Sequence, residues 1–164
     1  METENIIKFK PIGIIHSPFK ETRGVPIQPS GAKGITGQVE VFPEFEEGLK
    51  DIDGFSHIIL IYHFHLAQKT ALKVIPYLDK QSHGVFATRA PVRPNHIGFS
   101  VVELLKVEQN TLHIQNLDIV DGTPLLDIKP CIPQFDFQDV TKTGWLEHSN
   151  KSVLTARDDG RFDE

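Results

Sequence analysis

The clearest alternation of apolar and polar positions runs from Phe55 to Leu66, FSHIILIYHFHL. On an extended backbone, Ile58, Leu60, Tyr62, Phe64 and Leu66 fall on one side, and His57, Ile59, Ile61, His63 and His65 on the other. This pattern predicts a strand with one face in the core and a histidine-bearing polar inner wall opposite. Shorter patterns predict further strands over Ile6–Ser17, where Pro11 and Gly13 suggest an edge or a bulge, and over Val39–Phe42. Phe99–Glu108 and Thr111–Val120 read as a hairpin through Gln109-Asn110, with Asn tolerating the positive φ of the turn. On its second strand Leu112, Ile114, Asn116, Asp118 and Val120 share a face, so Asp118 stands at the polar end of a core stripe. Asp121-Gly122 and Thr123-Pro124 then form a turn that gathers Asp118, Asp121 and the Gly122 amide before a last strand, Leu125–Lys129. Helical periodicity is scarce. Pro43 with Glu44, Glu46 and Glu47 behind it opens a short helix that Gly48 limits, and Ala67–Ser82 is too irregular to assign. Regularly spaced short strands predict a mainly β, single-domain small β-barrel with short helices. No G-x-G-x-x-G follows a strand and opens a helix, so the fold is non-Rossmann.

Two stretches break the alternation. From Lys20 to Gln38, glycine and proline recur with almost no apolar periodicity, and a loop this long in a compact domain is more often functional than incidental. From Gly84 to Gly98 the chain reads GVFATRAPVRPNHIG. Val85–Thr88 favour a strand. Pro91 and Pro94 then fix φ and push Ala90 and Arg93 into extended geometry. The expectation is a stiff rod carrying Arg89, Arg93 and Asn95 as preorganised donors for a carboxylate or phosphate, with Gly98 freeing the chain to turn.

GVFATRAPVRPN resembles the signature of the tRNA methyltransferase O family, and DIVDGTPLLDIKP, Asp118–Pro130, resembles its second half. VPIQPSG, Val25–Gly31, is similar to a third family element, and the likeness runs from about Ile12 to Pro133. The resemblance implies a small barrel that dimerises and binds S-adenosylmethionine without a Rossmann sheet. It implies methyl transfer to N6 of threonylcarbamoyladenosine beside the tRNA anticodon. It assigns the donor to Gln28, Pro29, Ser30, His65, Arg93, Asp118, Asp121, Gly122 and Thr123, and the tRNA substrate to Arg89, Asn95 and Lys129. His65 and Asp118 are the candidates for catalysis as general base. The sequence departs from the family at Cys131, where DIKPY is usual and DIKPC stands here. Some relatives carry an additional carboxy-terminal domain, and here residues 136–164 are expected as an extension of the 1–135 barrel, packed on it or partly disordered.

Composition narrows this picture at three points. Hydrophobic residues at 39% and charged residues at 24% of 164 fit one globular domain, and the absence of a hydrophobic signal core or membrane-length apolar run predicts a cytoplasmic protein. The single cysteine excludes an internal disulfide and a cysteine-cluster zinc site, and Cys131 is expected as a small buried residue. The formal charge of −5 runs against tRNA binding, but Asp139, Glu147, Asp158, Asp159, Asp163 and Glu164 fall late in the chain, away from the arginines, which leaves room for a local basic face. His63 and His65, two apart on a strand, form half of a metal site whose other ligands would come from elsewhere, so no metal is assigned. Two other classes compete with the methyltransferase: a non-catalytic module binding RNA or S-adenosylmethionine, and a metal-dependent β-barrel enzyme using these histidines.

Overall fold

The computed structural model describes residues 5–163. Six strands close an antiparallel barrel in the order β1 (Gly13–His16), β2 (Thr36–Val41), β7 (Thr111–Gln115), β6 (Ile97–Glu108), β3 (His57–His63) and β8 (Thr123–Pro130). Two short strands, β4 (Lys73–Val74) and β5 (His83–Gly84), pair separately. The mainly β barrel read from the sequence is therefore the fold.

Ile58, Leu60 and Tyr62 of β3 point inward as predicted and meet Val102 and Leu104 of β6, Leu112 and Ile114 of β7, and Leu125 of β8. Burying each aliphatic side chain contributes about 1.5–3 kcal/mol, so this ring of contacts is what closes the sheet. Along β6 the inward positions are Gly98, Ser100, Val102 and Leu104, and so one end of the barrel core holds a hydroxyl instead of a hydrocarbon.

Several local expectations are corrected. The first strand is confined to Gly13–His16, because Pro11 has no N–H for a ladder; Ile6, Ile7 and Phe9 lie exposed. Residues 1–4 of the amino-terminal segment and Glu164 of the acidic end lie outside the described residues. In the β6–β7 turn the positive φ belongs to Gln109, at 54°, and not to Asn110, which instead donates Nδ2–H to the Val41 carbonyl. The stripe proposed through Asn116, Asp118 and Val120 does not form. Strand β7 ends at Gln115, and Asn116 at φ 66° flips the register, so Leu117 and Ile119 enter the core.

The arginine stretch is a compact loop rather than a strand and rod. Val85–Ala87 make a single 3₁₀ turn, closed by Thr88 N–H and Oγ–H on the Val85 carbonyl. Arg93 then folds back, one of its guanidinium nitrogens donating to the carbonyls of Thr88 at 2.9 Å, Ala90 at 3.1 Å and Val85 at 3.4 Å. Local strand propensity loses here to three charge-assisted hydrogen bonds.

The tail is stapled to the barrel loops. Trp145 donates Nε1–H to the Ala87 carbonyl and stacks on His83. Farther along, Gly24 N–H bonds the Asp158 carbonyl at 2.7 Å and Asp158 N–H bonds the Val25 carbonyl at 2.8 Å, pairing the tail with the VPIQPSG loop.

Candidate functional site

Two adjoining hollows lie beside the barrel end that carries Ser100. The inner cavity, about 230 Å³, is floored by Tyr62, Asp118 and Thr123 and walled by Gln28, His65, Arg89 and Arg93. The outer trough, about 1,110 Å³, runs past Phe86, Phe99, Phe137 and Trp145. Arg89 stands between them, donating to Gln28 Oε1 at 2.7 Å with its guanidinium 4.8 Å above the Phe99 ring. Gln28, Thr88, Arg89 and Phe99 line both hollows.

The floor holds a short relay. The Tyr62 hydroxyl donates to Ser100 Oγ at 3.0 Å, and Ser100 donates to Asp118 Oδ1 at 2.7 Å. Burial pushes the Asp118 pKa up to about 6, with the Ser100 hydrogen bond and the Arg89 charge pulling the other way. Burial also drives the Tyr62 pKa far upward, aided by the Asp118 charge, so Tyr62 stays a donor. Asp118 is thus ionised at neutral pH but more basic than an ordinary carboxylate, the condition for a proton acceptor.

Of the residues expected from the sequence, Gln28, His65, Arg89, Arg93, Asp118 and Thr123 line the inner cavity. Pro29 and Ser30 face the outer trough instead. Asp121 does not join Asp118: its carboxylate accepts from Ser17 N–H and pairs with Lys20 at 2.7 Å. The Gly122 amide is spent on the Ile15 carbonyl. Lys129 pairs with Asp127 on the exposed strand end, and Asn95 is exposed on its loop; neither lines either hollow.

The histidine wall is also corrected. The outward face of β3 carries His57 and His63 on the exterior, not in a cavity. Only His65 reaches the site, because β3 ends at His63 and a turn, His65 N–H to the His63 carbonyl, redirects the chain. Burial first, then the neighbouring His63, lower the His65 pKa. Among the described residues no cluster of three or more metal-ligating side chains forms. Cys131 is half-buried and borders the outer trough rather than sitting in the core.

Sequence reading missed Ser100, Tyr62 as a polar group, and the tail residues Asp158, Phe162 and Asp163 that line the inner cavity. Ser100 had a signal: it occupies a core-facing position of an otherwise apolar register. The late acidic residues are not remote from the arginines, since Asp158 and Asp163 share this cavity with Arg89 and Arg93.

Residues 14–137 match the profile of the tRNA-methyltransferase O N-terminal domain. The chain belongs to that family. It is 62% identical over 157 residues to a probable S-adenosyl-L-methionine-binding protein of Pyrococcus abyssi, covering 96% of this chain and 85% of that one. It is 37% identical over 136 residues to the tRNA (adenine(37)-N6)-methyltransferase of Escherichia coli, covering 77% of this chain and 58% of that enzyme. The crystal structure of TrmO from Pseudomonas aeruginosa superposes with a TM-score of 0.72 at 38% identity, covering 85% of this chain and 62% of that one. The family match spans the barrel and the arginine loop, and stops before the tail residues that line the inner cavity.

Proposed function

We propose that this protein transfers a methyl group from S-adenosylmethionine to N6 of an adenine in tRNA, the favoured acceptor being threonylcarbamoyladenosine beside the anticodon. The observation that carries the reading is that Arg93 and Asp118, distant in sequence and from the two halves of the family signature, line one cavity.

The lining fits such a donor. Its apolar part, Val25, Ile27, Phe64, Leu66 and Ile119, suits a thioether chain and a purine face, while Arg93 and Asp118 bring opposite charges to one space. The donor supplies an electrophilic methyl on a sulfonium, which becomes a neutral thioether as its carbon–sulfur bond breaks and the carbon–nitrogen bond forms. Asp118 accepts the proton that leaves N6, and Ser100, itself held by Tyr62, keeps one carboxylate oxygen fixed so that the other faces the cavity. Carbamoylation acidifies that N–H, which suits a carboxylate whose pKa is only about 6. Arg93 binds the donor carboxylate with the nitrogens not engaged by the loop carbonyls, and His65 shapes the rim. The outer trough, with Phe86, Phe99, Phe137 and Trp145, receives the acceptor base by stacking once it is extruded from the RNA. Assembly as a homodimer in the cytoplasm completes the proposal; no described helix is long and apolar enough to cross a membrane.

Incubation of the pure protein with methyl-labelled donor and tRNA, with and without the threonylcarbamoyl group, tests the reading. Label is expected on modified tRNA and little on unmodified. Equal labelling of both refutes the acceptor, and donor binding without transfer to either would leave a binding module instead of an enzyme. A further expectation concerns the relay. Ser100→Ala removes the hydrogen bond that lowers the Asp118 pKa, so the acidic limb of the kcat/KM profile moves to higher pH. An unmoved limb would show that Asp118 is not the titrating group.

A further inference from the structure

The C-terminal tail forms part of the wall of the inner cavity, adding to it Asp158, Phe162 and Asp163. Its position is fixed by backbone rather than by loose packing: the reciprocal bonds between Asp158 and the Gly24–Val25 segment are reinforced by a bridge between Pro26 and Arg157. Arg161 anchors the next turn, donating to the Pro76 carbonyl at 2.8 Å and pairing with Asp159 at 2.6 Å, with its guanidinium over the Tyr77 ring. Asp159 is therefore neutralised. Asp158 is not, since among the described residues it makes no ion pair. One of its oxygens accepts from Gly160 N–H at 2.8 Å. The buried Tyr77 hydroxyl lies beside this carboxylate, and Tyr77 also lines the cavity. Burial raises the Asp158 pKa, the hydrogen bonds from Gly160 and Tyr77 pull it back, and the neighbouring Asp163 and Asp159 charges add to the rise. A partly buried carboxylate that lines the same cavity as Arg93, with like charges around it and no cation paired to it among the described residues, makes a place for a cation with hydrogens to donate.

We propose that Asp158 binds the α-ammonium group of the methyl donor, opposite the Arg93 that takes its carboxylate, so that the tail is part of the donor site. This rests on the donor reading above. It divides the cavity by charge: Arg93 and Asp158 hold the two ends of the amino-acid group, and Asp118 remains free for proton transfer.

Isothermal titration of the wild type and Asp158→Asn with S-adenosylmethionine and with its deamino analogue, which lacks only the α-amino group, tests it as a double-difference cycle. The wild type is expected to bind S-adenosylmethionine about 10- to 100-fold more tightly than the analogue. Asp158→Asn is expected to bind both with the affinity the wild type has for the analogue. A variant that keeps the wild-type discrimination, or that loses equally on both ligands, overturns the assignment. If the variant does not fold, the wild type alone decides, because equal affinities for the two ligands would also overturn it. A wild type that binds neither ligand instead removes the donor reading, and this proposal with it.

Discussion

Replacing Asp118 with Asn is expected to slow methyl transfer by about 10²- to 10⁴-fold and, at neutral pH, to make the protein more stable. The two effects share one cause. The folded-state pKa of about 6 lies above the unfolded value near 3.8, so folding takes up a proton between those limits. The sign follows: at pH 4 the group costs little, the penalty grows as pH rises through 6, and above that it is complete. Its size is about 2–3 kcal/mol, for a shift of about two units. An Asn side chain accepts the Ser100 hydrogen bond through its amide oxygen without carrying charge. For a domain of this length the thermal midpoint of the variant should therefore rise by roughly 5 °C or more at pH 7.5, and the advantage should vanish near pH 4. Calorimetry at both pH values, with initial rates on tRNA, reads both effects. Lost activity with unchanged stability at both pH values would mean that Asp118 is not a strained ionised group.

Gly98→Ala is the second large effect expected. A β-carbon on Gly98 would stand 2.5 Å from Tyr62 Cε2 and 2.6 Å from Phe64 Cζ, two rings packed edge to face. Tyr62 is buried at the barrel end and cannot swing away without releasing Ser100. Overpacking at such a point costs about 1–3 kcal/mol, and here the displaced ring also supports the relay to Asp118. A lower urea midpoint with an unchanged slope is expected, together with a fall in kcat larger than any change in KM. Wild-type stability and kcat would show that the rings yield freely and that the relay does not depend on their position.

These two residues also show what the sequence disclosed. Gly98 was legible as a special position but for the wrong reason. It lies within β6 and is required by close approach of aromatic rings, a tertiary contact that no local pattern reports. Asp118 was legible as an anomaly, a carboxylate at the end of an apolar strand. Its surroundings were not, because the positive φ at Asn116 shifts the alternation by one and puts Leu117 and Ile119, not Val120, in the core. Barrel and core faces followed from two-residue periodicity, which sheets enforce strongly. The arginine loop did not, because Arg93 closes it by bonding carbonyls three to eight residues back, and side-chain-to-backbone bonds of this kind leave no periodic trace. The tail was hardest to place. Its acidic residues read as a solvated end, and only the backbone pairing with Gly24 and Val25 brings Asp158 to the cavity.

The central claim is that the inner cavity holds the reacting end of the donor between Arg93 and Asp118. A crystal structure of the protein with S-adenosylhomocysteine tests it most directly. The sulfur is predicted to lie in the inner cavity facing Asp118, with the ligand carboxylate on Arg93. Density for the ligand confined to the outer trough or elsewhere, with only water between Arg93 and Asp118, would contradict it.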